Sequence, residues 1–398
     1  MVGYLTLHLT RAMRIPPHES RDLVLAALIH DLGAVGVDER FQMLEFEEQD
    51  AHFHGLLGSH LVASYPPLSH LQTYLLGHHL DWQHGKGNRI AGIWIPYNCH
   101  LLHMADRIAV MIDRSRPILD QVESIVATIQ DASGSRFPPD MVDRFTRLAD
   151  NEVIWLDIAA NKMDQVLKQG VGSKTIPMTG ENLTRFAQFI AGVIDSRSPF
   201  TATHSSGVAS VSRHLAEKMA RDPIVCDKIE VAGYLHDIGK LAVSPAILDK
   251  PAKLDEAEWR HMHSHTYYTH EILSHLSGFE EIDNWASMHH ETLDGGGYPF
   301  HVTEDQLSLE ARIIAVADVF TALTEERPYR AGLDQTHVSR ILRDMVANNH
   351  LDDQVVTTAL SDYETTNRIR SMAQMREHRD WISFHALIDE RRRVHQTQ

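Results

Sequence analysis

The feature that most constrains this chain is an internal repeat. The segment HLTRAMRIPP, from His8, resembles HLAEKMARDP, from His214. AALIHDLG, ending at Gly33, resembles AGYLHDIG, ending at Gly239. The pair His78-His79 resembles His289-His290, and HMADRIAV, from His103, resembles AVADVFTA, from Ala315. The offset is 206 residues at His8/His214 and His30/His236, 211 at His54/His265 and His78/His289, and 212 at Asp106/Asp318. Order and spacing this regular point to duplication of one unit. Alignment of the first copy runs without gaps from His30 back to Met1, so a partner for His204 would precede residue 1. The first copy is therefore expected to be cut short at its start.

Helical periodicity dominates both copies. Val208, Val211, Leu215 and Met219 recur at helical spacing, as do Leu23, Ala27, Leu28 and Leu32. Ala311 to Leu323 is apolar with no internal Gly or Pro, and strand alternation is weak throughout. The expectation is an all-α protein of two tandem helical domains. The first spans 1–167, a linker 168–180 (KQGVGSKTIPMTG is rich in turn residues), and the second 181–365. A polar, arginine-rich tail covers 366–398 and reads as a solvated helix or frayed end.

Composition narrows the function. Net charge is −17, which disfavours DNA or RNA as a partner but not a small anion held through metal cations. The two cysteines, Cys99 and Cys226, form no CxxC pattern and fit a reducing cytoplasm. No apolar run has the roughly 18 residues a membrane span needs. The 28 histidines are the unusual count.

Seven residues of the second copy form a candidate constellation: His204, His236, Asp237, His265, His289, His290 and Asp318. Imidazole nitrogens with carboxylate oxygens suit Fe, Mn or Zn. A lone histidine on an apolar helix is most often a hydrogen-bonded core residue, and an isolated His-Asp pair is weak evidence; seven such residues in this order are not. Adjacent helical residues point about 100° apart, so His236 and Asp237 are expected to flank two metals rather than grip one. A carboxylate such as Asp237 can bridge two cations. His289 and His290 either divide between the metals, or one binds metal and the other a neighbouring group. Asp318 lies on an apolar helix, where an unpaired carboxylate is costly. His265 is chosen because it matches His54; His261, His263, His270 and His275 read as surface residues.

The motifs YLHDIGK (Tyr234–Lys240), HHETLDGGGYP (His289–Pro299), ARIIAVADVF (Ala311–Phe320) and RPYR (Arg327–Arg330) resemble those of the HD-GYP family of metal-dependent phosphohydrolases. The resemblance covers about 160 residues. It implies a helical domain with a di- or tri-metal centre, usually iron or manganese, that hydrolyses cyclic di-GMP or mixed cyclic GMP-AMP. It also implies metal ligation by the seven residues above, with attack of a metal-bridging hydroxide on phosphorus. Lys240 resembles the lysine that contacts the scissile phosphate, so the catalytic pair is Asp237 and Lys240. Gly297, Tyr298 and Pro299 form the signature loop. Arg327 and Arg330 match positions for phosphate or base contacts.

Departures from the family pattern carry expectations of their own. Phe200 stands where three-metal members carry a glutamate, which implies two metals. Gly207 replaces a usual arginine, Thr269 a usual glycine and Thr321 a usual aspartate. The first copy keeps His30, Asp31, His54, His78, His79 and Asp106 as a second set of metal-binding candidates. It has Ala34 in place of Lys240 and LDWQHGKGNRI in place of the GYP loop, with Lys86 as a substitute cation. Its alternative is a scaffold that packs on the working domain or forms a homodimer interface. Two other functions compete with cyclic dinucleotide cleavage. One is hydrolysis of another nucleotide or phosphate ester. The other is a weakened receptor that signals through contact with partner proteins.

Overall fold

A computed structural model describes residues 1–34, 52–90, 92–171, 180–195, 203–248, 250, 252–326 and 331–378. Phe200, Arg327 and Arg330 lie outside the described residues. The chain divides into two compact units, over Met1–Pro177 and Met178–Ala386. Each has its own apolar core. Both are helical, as expected; the one β-sheet among the described residues is a two-stranded hairpin, Arg89–Ile90 with Ile93–Trp94.

In the second unit a helix over Glu181–Asp195 precedes the His204–Lys218 helix. Val208, Val211 and Leu215 of the latter are fully buried. Each such side chain contributes about 1.5–3 kcal/mol of hydrophobic stabilisation. The next helix, Pro223–Leu235, starts on an Asp222 cap whose carboxylate accepts from the Ile224 N–H, with Pro223 in the first turn, where no N–H is missed. A 3₁₀ turn, Ile238–Ala242, leads through a short helix to the long Glu256–Leu273 helix, opened by a capping box of Asp255 and Glu258. Glu280–Ser287 then delivers the His-His pair, and Leu309–Thr324 carries Asp318 through the core. Helices Gln335–Ala347 and Asp353–Ser361 follow.

The first unit repeats this order. Val2–Ala12, Pro17–Ile29, a 3₁₀ turn at His30–Gly33, His52–Ala63, Gln72–Gly77 and Cys99–Met111 stand in the sequence positions of their counterparts. Four further helices, from Val122 to Val171, complete it. One shared detail is a glycine pressed against the middle histidine helix. A Cβ on Gly33 would lie 2.1 Å from the His54 carbonyl oxygen, and one on Gly239 1.8 Å from that of His265. No other residue fits either turn.

The final described helix, 363–378, crosses the expected start of the tail at residue 366 and is not simply solvated. Its Thr366, Arg370 and Gln374 are buried. Among the described residues, no helix is long and apolar enough to cross a membrane.

Candidate metal centre

The second unit gathers all seven nominated residues into overlapping groups whose potential ligand atoms lie within 4.8 Å of one another. One group is His204, His236 and Asp318; a second is His236, Asp237 and His289; a third is His265, His289 and His290. Asp237 stands between them. Its Oδ2 is 3.3 Å from His236 Nε2 and its Oδ1 is 3.5 Å from His265 Nε2.

Here the structure departs from the helical-wheel expectation for His236 and Asp237. The helix ends at Leu235, and Asp237 takes φ −99°, ψ 9° as the chain tightens into the 3₁₀ turn. That change of backbone swings both side chains to one side, so they share a group with His289 as well as flanking two. Of the His-His pair, His289 is fully enclosed and belongs to both of its groups. The His290 side chain remains 31 % exposed, at the solvent side.

Second contacts fix which nitrogen faces inward. The Nδ1–H groups of His236, His265 and His289 donate to the carbonyls of Gly233, Met262 and Ala286, at 2.8, 2.7 and 2.7 Å. A carbonyl only accepts, so Nδ1 carries the hydrogen and Nε2 is the atom turned toward the cluster, while the Asp237 carboxylate, against burial, raises the His236 pKa. His265 Nε2 and His289 Nε2 then face each other at 3.4 Å. Two lone pairs so placed repel unless a cation shares them. Burial, reinforced by neighbouring histidines, holds His289 well below the ordinary imidazole range, and burial brings His265 down to about 3. Both rings are therefore neutral near pH 7, as metal ligands must be. The donor set fits divalent transition metals.

Asp318 and His204 form the other end. His204 Nε2 is 3.0 Å from Asp318 Oδ1, and its Nδ1 is 3.1 Å from Glu325 Oε2. Burial opposes charge on this ring, but Glu325 and Asp318 outweigh it and raise His204 to about 10. A divalent cation at Asp318 competes with that proton. Lys240 is linked to the centre through its Nζ, 2.5 Å from Asp237 Oδ2. Burial opposes its charge as well; the Asp237 carboxylate more than restores it.

The signature loop is built on Glu291. Its carboxylate accepts from the backbone N–H groups of Phe300, His301 and Val302, at 2.6, 3.2 and 3.2 Å. Gly297 permits the close return, because a Cβ there would meet Glu291 Cα at 2.4 Å. Tyr298 is thereby laid flat on His263, with ring centroids 3.8 Å apart and planes 7° apart, and 5.0 Å from the His290 ring. His263 is thus a neighbour of the site and not a bare surface residue. His270 likewise pairs with buried Asp283 at 2.9 Å.

Glu291 and Glu325 belong to the site without having been nominated from the sequence. Glu325 follows Asp318 by seven residues, two helical turns, so its shared face was legible; Glu291 directly follows the His-His pair. The departures also find partners. Thr269 donates to the His236 carbonyl at 2.9 Å and accepts from the Gly239 N–H at 3.1 Å, tying the 3₁₀ turn to its neighbouring helix. Gly207 and Thr321 meet each other: a Cβ on Gly207 would lie 2.9 Å from Thr321 Cγ2, 3.1 Å from Gln374 Nε2 and 3.3 Å from Arg370 Cγ. An arginine side chain at 207 has no room beside these residues. Arg370 bonds Gln374, and Gln374 donates to Glu325 at 3.1 Å, so the last helix reaches the His204 end of the cluster.

The HD domain family model matches residues 188–355. A 3'3'-cGAMP-specific phosphodiesterase 1 of Vibrio cholerae is 31 % identical over 369 residues, which cover 89 % of this chain and 84 % of that protein. The chain belongs to the HD-GYP family. Members of this metal-dependent family vary in length around the shared domain. The chain spans 49 % of 3'3'-cGAMP-specific phosphodiesterase 3 of the same organism, at 39 % identity. It spans 37 % of a Pseudomonas aeruginosa cyclic di-GMP phosphodiesterase, at 37 % identity. A solved V. cholerae cyclic GMP-AMP-specific phosphodiesterase shares the fold over 91 % of both chains, with TM-score 0.61 and 24 % sequence identity.

In the first unit the structure brings Asp31, His54, His78 and His79 into one group. His30 faces Asp31 at 3.1 Å and Asp106 at 3.3 Å. Lys86 is exposed in a segment leading to the β-hairpin that stands in place of the GYP loop.

Proposed function

We propose that the second unit is a metal-dependent phosphodiesterase that opens a cyclic dinucleotide by water attack on phosphorus, with mixed cyclic GMP-AMP as the first substrate to test and cyclic di-GMP as the second. The observation that carries this reading is Asp237, whose two oxygens face two different histidine groups while Lys240 waits on the same carboxylate. The relatives named for cyclic GMP-AMP and cyclic di-GMP cleavage support the substrate class.

Two divalent cations, iron or manganese as the family resemblance implies, would activate water and neutralise phosphate charge when bound. His204, His236 and Asp318 would hold one and His265, His289 and His290 the other, with Asp237 facing both groups. Lys240, held beside Asp237, is placed to donate to a non-bridging phosphate oxygen and to stabilise the charge that grows there. Tyr298, fixed by its stack on His263, offers a flat face for a base or ribose beside His290. Glu325 orients His204 through Nδ1.

The test is chromatography of products from anaerobically purified full chain given cyclic GMP-AMP, cyclic di-GMP and a generic phosphate ester. Linear dinucleotide from either cyclic substrate is expected. Cleavage of the ester alone would favour the broader phosphohydrolase reading, and intact substrates beside a metal-filled site would favour the receptor.

A further inference from the structure

The six candidate ligands of the first unit do not form a copy of the dinuclear centre. Three imidazole nitrogens converge: His54 Nε2 is 3.0 Å from His78 Nε2 and 2.9 Å from His79 Nε2. Asp31 Oδ1 lies 3.7 Å from His54 Nε2 and 3.9 Å from His78 Nε2. It is a buried oxygen with no hydrogen-bond partner. The Nδ1–H of His78 donates to the Leu75 carbonyl at 2.5 Å, so its Nε2 is a bare lone pair aimed at the others. Metal–nitrogen bonds of about 2.0–2.1 Å place neighbouring ligand nitrogens roughly 3 Å apart, which is the spacing found.

At the other end, Asp106 is held by an arginine and by His30, whose Nε2 lies 3.3 Å from Asp106 Oδ1. Arg107 is fully buried, and both its Nη2 and its Nε donate to Asp106 Oδ2, at 2.6 and 3.1 Å. In the second unit the residue after Asp318 is Val319. A guanidinium is always charged and offers only donors, so it occupies the carboxylate oxygen and repels a cation there. Among the described residues the first unit accordingly offers one metal-sized group, the second unit three overlapping ones.

We infer that the first unit holds a single divalent transition metal through Asp31, His54, His78 and His79, with the Arg107 guanidinium standing in for a second cation on Asp106. With one metal, and Ala34 where the second unit has Lys240, this site pins three segments together and does not hydrolyse phosphodiesters. The inference is independent of the activity proposed for the second unit, although its test uses the Asp237 reading.

The experiment uses full-length protein carrying Asp237→Ala to empty the second unit, loaded with Mn²⁺ alone, dialysed, and assayed by elemental analysis and electron paramagnetic resonance. About one equivalent per chain, with the hyperfine pattern of an isolated Mn²⁺ ion, is expected. Adding Asp31→Asn, isosteric and partly exposed, or His78→Ala should each remove it. No bound metal in the Asp237→Ala chain would overturn the inference. So would metal that survives both added substitutions, or two exchange-coupled ions. If instead Asp237→Ala costs fewer than about two equivalents relative to wild type, the dinuclear reading of the second unit fails and the first-unit result still stands on its own variants.

Discussion

Three histidines of the second unit's cluster are each set by a bond made three residues back along the chain. His236, His265 and His289 all spend Nδ1–H on the carbonyl at i−3, and Nε2 is left as the ligand atom. Lys240 plays a different part, so its loss should separate binding from chemistry. Lys240→Ala is expected to keep its metal and lower kcat by about 100-fold, the scale of one charge-stabilising donor. Metal analysis beside steady-state kinetics checks this; loss of metal would mean that Lys240 shapes Asp237 and not the substrate. Asp195 is a second informative residue. It is buried, accepts from Ser205 Oγ at 3.1 Å, and burial pushes its carboxyl up to about 7. The folded protein then keeps a proton that the unfolded chain releases near pH 4. Its contribution to stability is full below that pH and is lost as pH rises to about 7, a ceiling of roughly a few kcal/mol. Denaturant titrations of metal-free Asp195→Asn should show a flatter pH dependence than wild type over that window. Parallel curves would show that Asp195 ionises freely.

Helix ends and turns, more than helix middles, make the site. Asp237 works because the helix stops at Leu235, and Tyr298 because Gly297 lets the loop fold back onto Glu291. Gly297→Ala should therefore raise KM and lower turnover while both metals stay bound, measured by kinetics and metal content together; unchanged kinetics would detach the loop from substrate. The sequence made the order of elements readable, because the repeat sets His30 against His236 and His54 against His265. It also made six of the seven cluster residues readable, since each has a partner at a fixed place in that repeat; His204 has none there. What it could not show is contact without periodicity. Glu325 reaches His204 across 121 residues, and Gln374 reaches Glu325 across 49. The polarity of the last helix hid its buried face, because Arg370 and Gln374 are spent on one another and on Glu325. His236 and Asp237 share a group with His289 because the helix ends at Leu235, a point that helical spacing does not reveal.

As a molecule, the chain carries two units with one order of elements and unequal chemistry. The second has lysine, signature loop and three overlapping ligand groups; the first has alanine, a β-hairpin and one group, with Asp106 bound instead to Arg107. The asymmetry assigns hydrolysis to the second unit and a structural ion to the first. Metal dependence localised to Asp237 is the most direct test. Full-length wild type and Asp237→Ala, each stripped by chelator, are titrated with Mn²⁺ or anaerobic Fe²⁺ while linear dinucleotide is measured. The account predicts no product from either stripped protein, recovery in wild type as metal is added, and none in Asp237→Ala at any metal level. Turnover by the chelated protein, or by metal-loaded Asp237→Ala at the wild-type rate, would contradict it.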